Sequence, residues 1–225
     1  AFSEMVRLSL LKFSYQKDIG GELVGPNGAE GFGGIRWIFE NNISVALPIL
    51  ENYEIPATIY LTTKFIDENG MSWIDRIERA VEETESNSIY FEINKINYSI
   101  DNIAKKKFFL NQVRRVVKSS PECQPNRLAD SICEKLCPNE EIKSGNGPLD
   151  QKLSWSDVRN YNNHSLIQFG GHSHTHPILS FLSKEELEFE IQTSLNLLDE
   201  KANVNSTHYS YPEGLKHCYS ELVIK

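Results

Sequence analysis

Gly170-Gly171-His172-Ser173-His174-Thr175-His176-Pro177 decides how the rest of this chain is read. Three imidazoles alternate with small polar residues, directly after the apolar-leaning run Leu166-Ile167-Gln168-Phe169. A strand that ends in glycines and opens into a loop presents ring nitrogens at a sheet edge, where open α/β folds keep their chemistry. His172 and His176 stand four apart. At that spacing two neutral imidazoles can converge on one divalent cation if the backbone turns once between them. Solvated histidine loops share the spacing, so the flanks have to decide.

Upstream lies Leu153-Ser154-Trp155-Ser156-Asp157-Val158-Arg159; downstream lie Pro177-Ile178-Leu179-Ser180 and Tyr209-Ser210-Tyr211-Pro212-Glu213-Gly214. This order resembles the NodB-type polysaccharide deacetylases, carbohydrate esterase family 4. In that family a motif of the form H-[S/T]-x-x-H supplies two zinc ligands, and residues 172–176 fit it. The stretch from Ala46 to Thr63 looks like the family's first helix and second strand, so the resemblance spans residues 34–85 and 153–225. It implies an α/β fold, a distorted (β/α) barrel incomplete at both ends. The implied activity is metal-dependent hydrolysis of N-acetyl groups on a sugar polymer or glycoconjugate.

The resemblance also implies a site. His172 and His176 would ligate a divalent metal, zinc by preference for imidazole, although cobalt, nickel and iron accept the same donors. His174 would stand in a supporting position, and Ser173 or Thr175 would hydrogen-bond to orient a ligand ring. Tyr211-Pro212-Glu213-Gly214 resembles the family's R-x-P-[Y/F]-G motif. That likeness implies a backbone N–H at Glu213 for an oxyanion and substrate contacts from Tyr211 and Pro212, with Ser210 where the motif has arginine. On its residues alone the same segment reads as a strand-ending turn built by Pro and Gly.

One departure is plain. The family's first strand ends in a motif like T-F-D-D-G, one Asp acting as base and the other completing the zinc site. Here Arg36 and Trp37 stand where those carboxylates belong. Without an acid, two histidines lack the third protein ligand of catalytic zinc and no base remains to take a proton; Glu40 and Asp18 are carboxylates available only by default. One coding string for residues 35–39, ATT-CGA-TGG-ATT-TTC, reads Phe-Asp-Gly-Phe in its next frame. A small frameshift upstream of Glu40 is therefore a hypothesis that resequencing the DNA would test. The family's last motif, a leucine and histidine pair carrying the general acid, is not found before Lys225, and His208 and His217 are poor substitutes. The alternative function is a catalytically inactive carbohydrate- or metal-binding remnant of the same fold.

Bulk properties narrow the partners. A chain of 225 residues can bury a substantial core. Its net charge of -8 argues against nucleic acid, which needs a basic face. Lys105-Lys106-Lys107 and Arg114-Arg115 read as the solvated side of one helix. No run approaches the ~18 apolar residues of a membrane span, and the opening Ala1-Phe2-Ser3-Glu4-Met5 does not resemble a signal peptide. The partner expected is an N-acetylated glycan; location is left open. The four cysteines form no C-x-x-C pair and read as small buried side chains.

In order, residues 1–34 form a poorly defined, glycine-rich N-terminal segment, and 35–225 form the barrel domain with an insertion at about 66–150. Ala46, Ile49, Leu50 and Tyr53 fall at helical spacing, and Ile55–Thr62 reads as a buried strand. Ser72 caps a helix through Trp73, Ile77 and Val81; Trp73 and Asp75 read as a packing residue and a first-turn carboxylate, or else as groove lining. Residues 89–93 and 96–100 alternate around Asn94-Lys95 as a hairpin. A helix capped by Asp101 follows, with Phe109, Val113, Val116 and Val117 on one face, then another over residues 126–137. Ser154 caps a short helix before the strand at 166–170. Ser183 and Glu186 make a capping box for a helix striped by Leu187, Ile191, Leu195 and Leu198. Residues 209–211 read as a last strand.

Overall fold

The computed structural model describes residues 34–35, 39–120, 123–138, 142, 151–214 and 218–224. They fall into two compact units, one within residues 1–69 and 145–225, the other within 70–144. In chain order the elements are β1 (Gly34–Ile35), α1 (Leu47–Asn52), β2 (Ala57–Leu61), α2 (Thr63–Asp67), α3 (Trp73–Glu83), β3 (Ser88–Phe91) and β4 (Ile96–Ser99). Then come α4 (Ile103–Ser119), α5 (Pro125–Leu136), α6 (Trp155–Tyr161), β5 (Ile167–Gly171), α7 (Lys184–Ala202) and α8 (Glu221–Ile224). Arg36, Trp37, Asp18, His217 and residues 1–33 of the N-terminal segment lie outside the described residues.

The first unit is built on a parallel sheet of order β1-β2-β5, with Gly34 opposite Thr58 and Ile59 opposite Phe169. Ala57, Ile59, Leu61, Ile167 and Phe169 are buried, together with Leu153, Val158 and Leu198 from outside the sheet. Near-continuous apolar burial is what a parallel strand covered on both faces requires. The helical face between β1 and β2 is shifted from its expected phase. Ile43, Leu47 and Leu50 are buried, whereas Tyr53 is 68% exposed. The cause is a π turn at Asn42–Ala46 that leads into α1. Its wider i→i+5 spacing rotates the apolar face before the ordinary helix begins.

The expected (β/α) barrel is not formed. The described residues make two small separate sheets, the parallel one above and the antiparallel β3-β4 hairpin, and neither closes. A barrel would need further parallel strands between β2 and β5. The described residues of that interval instead form α2 to α6 and two strands that pair with each other. After β5, the strand expected at Tyr209–Tyr211 amounts to one isolated parallel bridge between Gly171 and Tyr209.

In the second unit Ser72 caps α3 by accepting from the Asp75 N–H, and Trp73 is buried. The hairpin turns at Lys95, whose φ of 59° is left-handed. Helix α4 is capped by Asn102 rather than Asp101, because the Asp101 carboxylate is taken by Ser99, Lys105 and the Asn102 side chain. The thiols of Cys133, in α5, and Cys137, just after it, donate to the carbonyls of Arg76 and Ala80. All four cysteines are buried, and none forms a disulfide.

Candidate functional site

Parallel pairing brings the C-terminal ends of β2 and β5 to the same edge. The chain leaves β2 as Thr62-Thr63 and leaves β5 as His172. The His172 N–H donates to the Leu61 carbonyl at 3.1 Å, and the Thr62 hydroxyl donates to the His172 carbonyl at 3.1 Å. His172 is thus one more rung of the sheet, 1% exposed, with a backbone that cannot drift. The two glycines before it serve close approach. A Cβ at Gly170 would lie 2.7 Å from the Tyr60 ring, and one at Gly171 would lie 2.6 Å from the Tyr209 ring. Gly171→Ala should therefore push Tyr209 outward at a cost of about 1–3 kcal/mol, measured as a lowered denaturation midpoint. An unchanged midpoint would contradict the crowding.

The His172 ring has a defined tautomer. Its Nδ1 lies 2.6 Å from the Ser210 carbonyl oxygen. A carbonyl can only accept, so Nδ1 carries the proton and, in the neutral ring, Nε2 carries the lone pair. The His176 ring stands with its centroid 4.9 Å from that of His172, at an interplanar angle of 69°. Zinc takes imidazole nitrogen at about 2.0–2.1 Å, which places each ring centroid roughly 3 Å from the ion and two tetrahedral ligands roughly 5 Å apart. The observed separation fits two ligands of one ion. Phe65, from α2, stacks on His176 at 6.3 Å and 28°.

The turn between the two rings is held almost entirely by side chains. Ser173 and His176 adopt left-handed backbone, with φ of 65° and 62°, each costing roughly 1–2 kcal/mol for a residue with a Cβ. The Ser173 N–H donates to the Tyr209 hydroxyl at 2.9 Å. Those of His174 and Thr175 both donate to one oxygen of Glu190 at 2.8 Å, and the Thr175 hydroxyl donates to the other at 2.5 Å. The His176 N–H donates to Ser173 Oγ at 3.0 Å. Across the edge, Thr63 and Lys64 donate their N–H groups to the carbonyls of Ser173 and His174.

Each residue singled out in the sequence has a place. His174 is half-buried with its Nδ1 3.0 Å from the Thr63 hydroxyl and its ring edge-on to Phe189. Ser173 and Thr175 secure backbone and carboxylate as just described. Tyr211 is half-buried between Tyr209 and Tyr219, which stacks on it at 5.6 Å, and Pro212 is buried. Glu213 and Gly214 are successive left-handed residues, φ 65° and 58°, that reverse the chain. Glu40 binds the Ser44 hydroxyl one turn along, and the His208 side chain is exposed. Among the described residues no three His, Cys, Asp or Glu side chains gather as a metal-binding group.

Three residues to which the sequence reading assigns no role at the site support it. Glu190 is 6% exposed and Ser194 is fully buried, although both sit where helix α7 reads as polar. Tyr209 completes the set. Its hydroxyl accepts from Ser173 and lies 3.4 Å from Ser194 Oγ, which itself donates to the Ile191 carbonyl. Burial pushes the Tyr209 phenol up to about 12. The available signal was the i, i+4 spacing of Glu190 and Ser194 within the buried stripe of α7.

Among solved structures, the Streptococcus pyogenes deacetylase PplD in complex with acetate is similar over 85% of this chain and 48% of its own, at 14% identity and a TM-score of 0.45. The deacetylase domain of BpsB from Bordetella bronchiseptica is similar over 85% of this chain and 57% of its own, at 11% identity and a TM-score of 0.44. The chain therefore spans about half the length of these structures. No curated protein matches it. The sequence profile described as Polysaccharide deacetylase matches residues 35–225, from the start of the parallel sheet through the histidine loop. The chain belongs to the polysaccharide deacetylase family.

Proposed function

We propose that the chain is a divalent-metal-dependent hydrolase removing N-acetyl groups from an acetylated glycan, with His172 and His176 as metal ligands. The observation that carries this reading is the ring pair: a tautomer fixed by Ser210 and a centroid separation of 4.9 Å. A divalent cation held there supplies Lewis-acid polarisation of an amide carbonyl. The chain's own groups do the rest. The backbone N–H of Glu213 donates to the oxygen on which charge develops, where a positioned donor is worth most. Half-buried Tyr211 forms the wall against which the sugar lies, with the buried Pro212 fixing the turn that follows it, and Ser173, His174 and Thr175 keep the ligand loop in shape.

The second reading, binding without turnover, is favoured by one observation. Arg36 and Trp37 occupy the positions of the family's two aspartates, and catalysis needs a base within reach. One assay separates the two. Full-length protein, with and without added zinc, is incubated with N-acetylglucosamine oligomers, and released acetate is measured. Zinc-dependent acetate release supports the hydrolase; zinc binding with no acetate release supports the binding remnant.

A further inference from the structure

We infer that Glu190 is a positioning residue of the metal site, a built-in anion around which the ligand loop is wound. This rests on the proposed role of His172 and His176, and concerns a residue outside the ligand set. Consecutive N–H groups of a turn with left-handed residues form a concavity that attracts negative charge. Here that concavity is filled from within. The His174 and Thr175 N–H groups and the Thr175 hydroxyl all converge on the Glu190 carboxylate, at 2.8, 2.8 and 2.5 Å.

The geometry explains why a carboxylate belongs on a buried helix face. The two ligands are not equally constrained. His172 is pinned by the sheet through Leu61 and Thr62, whereas the His176 backbone lies at the far end of the turn, its N–H held by Ser173 Oγ. Two residues of that turn sit in left-handed backbone, so without compensation the turn would relax and His176 would move away from His172. Charge-assisted hydrogen bonds are the strong kind, and three of them offset the strain. Buried carboxylates are costly unless so satisfied. Glu190, at 6% exposure, meets that condition entirely with atoms of the loop. Helix α7 supplies a second prop four residues on, where Ser194 meets the Tyr209 hydroxyl that receives the Ser173 N–H.

Two conservative variants separate reach from charge. Glu190→Gln keeps the length. Its carbonyl oxygen can accept both N–H groups while its amide donates to Thr175. Glu190→Asp keeps the charge but withdraws it by one methylene. In the full chain, two quantities are read: hydrogen exchange of the His174 and Thr175 amides, and cobalt(II) affinity by visible absorption. Glu190→Asp is expected to speed exchange of both amides and weaken cobalt binding about tenfold or more, within the range seen when support of a ligand is lost. Glu190→Gln, which keeps the reach but loses the charge assistance, is expected to shift both in the same direction by less, about threefold. Wild-type behaviour in both variants, or the reverse order, overturns the inference. If the unaltered chain binds no cobalt, the metal reading fails, while the amide exchange still decides whether Glu190 holds the turn.

Discussion

His172→Ala is expected to abolish specific binding of divalent cations. The ring is one of the two proposed ligands, and its backbone is held to the Leu61 carbonyl just beyond the end of β5. Even losing the partners that support a ligand weakens metal affinity about 10–100-fold, so losing the ligand itself should exceed about a hundredfold. The Ser210 carbonyl also loses the 2.6 Å hydrogen bond from Nδ1, and a buried acceptor left unmet costs about 1–3 kcal/mol. His176→Ala guards against misreading, because its half-buried ring can be removed with less damage to the sheet edge. It should abolish binding equally. Calorimetric titration of zinc reads both, with His208→Ala as a control at an exposed side chain. Retained one-to-one binding in either ring variant would count against the site.

Stability is expected to fall as the solution is made more alkaline than pH 10, through Tyr209. Its phenol titrates at about 12 in the folded chain, against 10.0 for an ordinary tyrosine, because it is buried. Below pH 10 both states hold the proton and the residue adds no pH dependence. Between about 10 and 12 the unfolded chain releases its proton first, so unfolding is favoured as pH rises. The full effect is on the order of 2–3 kcal/mol. Thermal unfolding at intervals from pH 9 to 12 reads it. Tyr209→Phe should remove this part of the slope while lowering stability at pH 8, since the Ser173 N–H then loses its partner. Parallel slopes in the two proteins would show that Tyr209 is not the group.

Local signals were the legible part of this sequence. The caps at Ser72, Ser154 and Ser183, the hairpin around Asn94-Lys95 and the strand leading into the glycines all depend on neighbours within a few residues, and all appear in the structure. What depended on distant partners was not legible. Closure into a barrel was expected from the resemblance, but strand pairing is decided by residues far apart, and the interval before β5 went to helices and a self-paired hairpin. The face before β2 was misphased because a π turn has no clear pattern in side-chain type. Glu190 was passed over because a carboxylate on a helix ordinarily marks the solvent side. Its burial makes sense only once the loop's N–H groups are seen to need an acceptor.

The proposed metal site requires residues 172–176 to turn once and bring two imidazoles onto one cation. Nitrogen-15 spectra of the histidine rings, recorded while zinc is titrated into the full chain, test it most directly. His172 is expected as the Nδ1–H tautomer before zinc is added, and the His172 and His176 ring signals are expected to shift together and saturate at one ion per chain. An Nε2–H tautomer at His172, or zinc that leaves both rings unshifted, would contradict it.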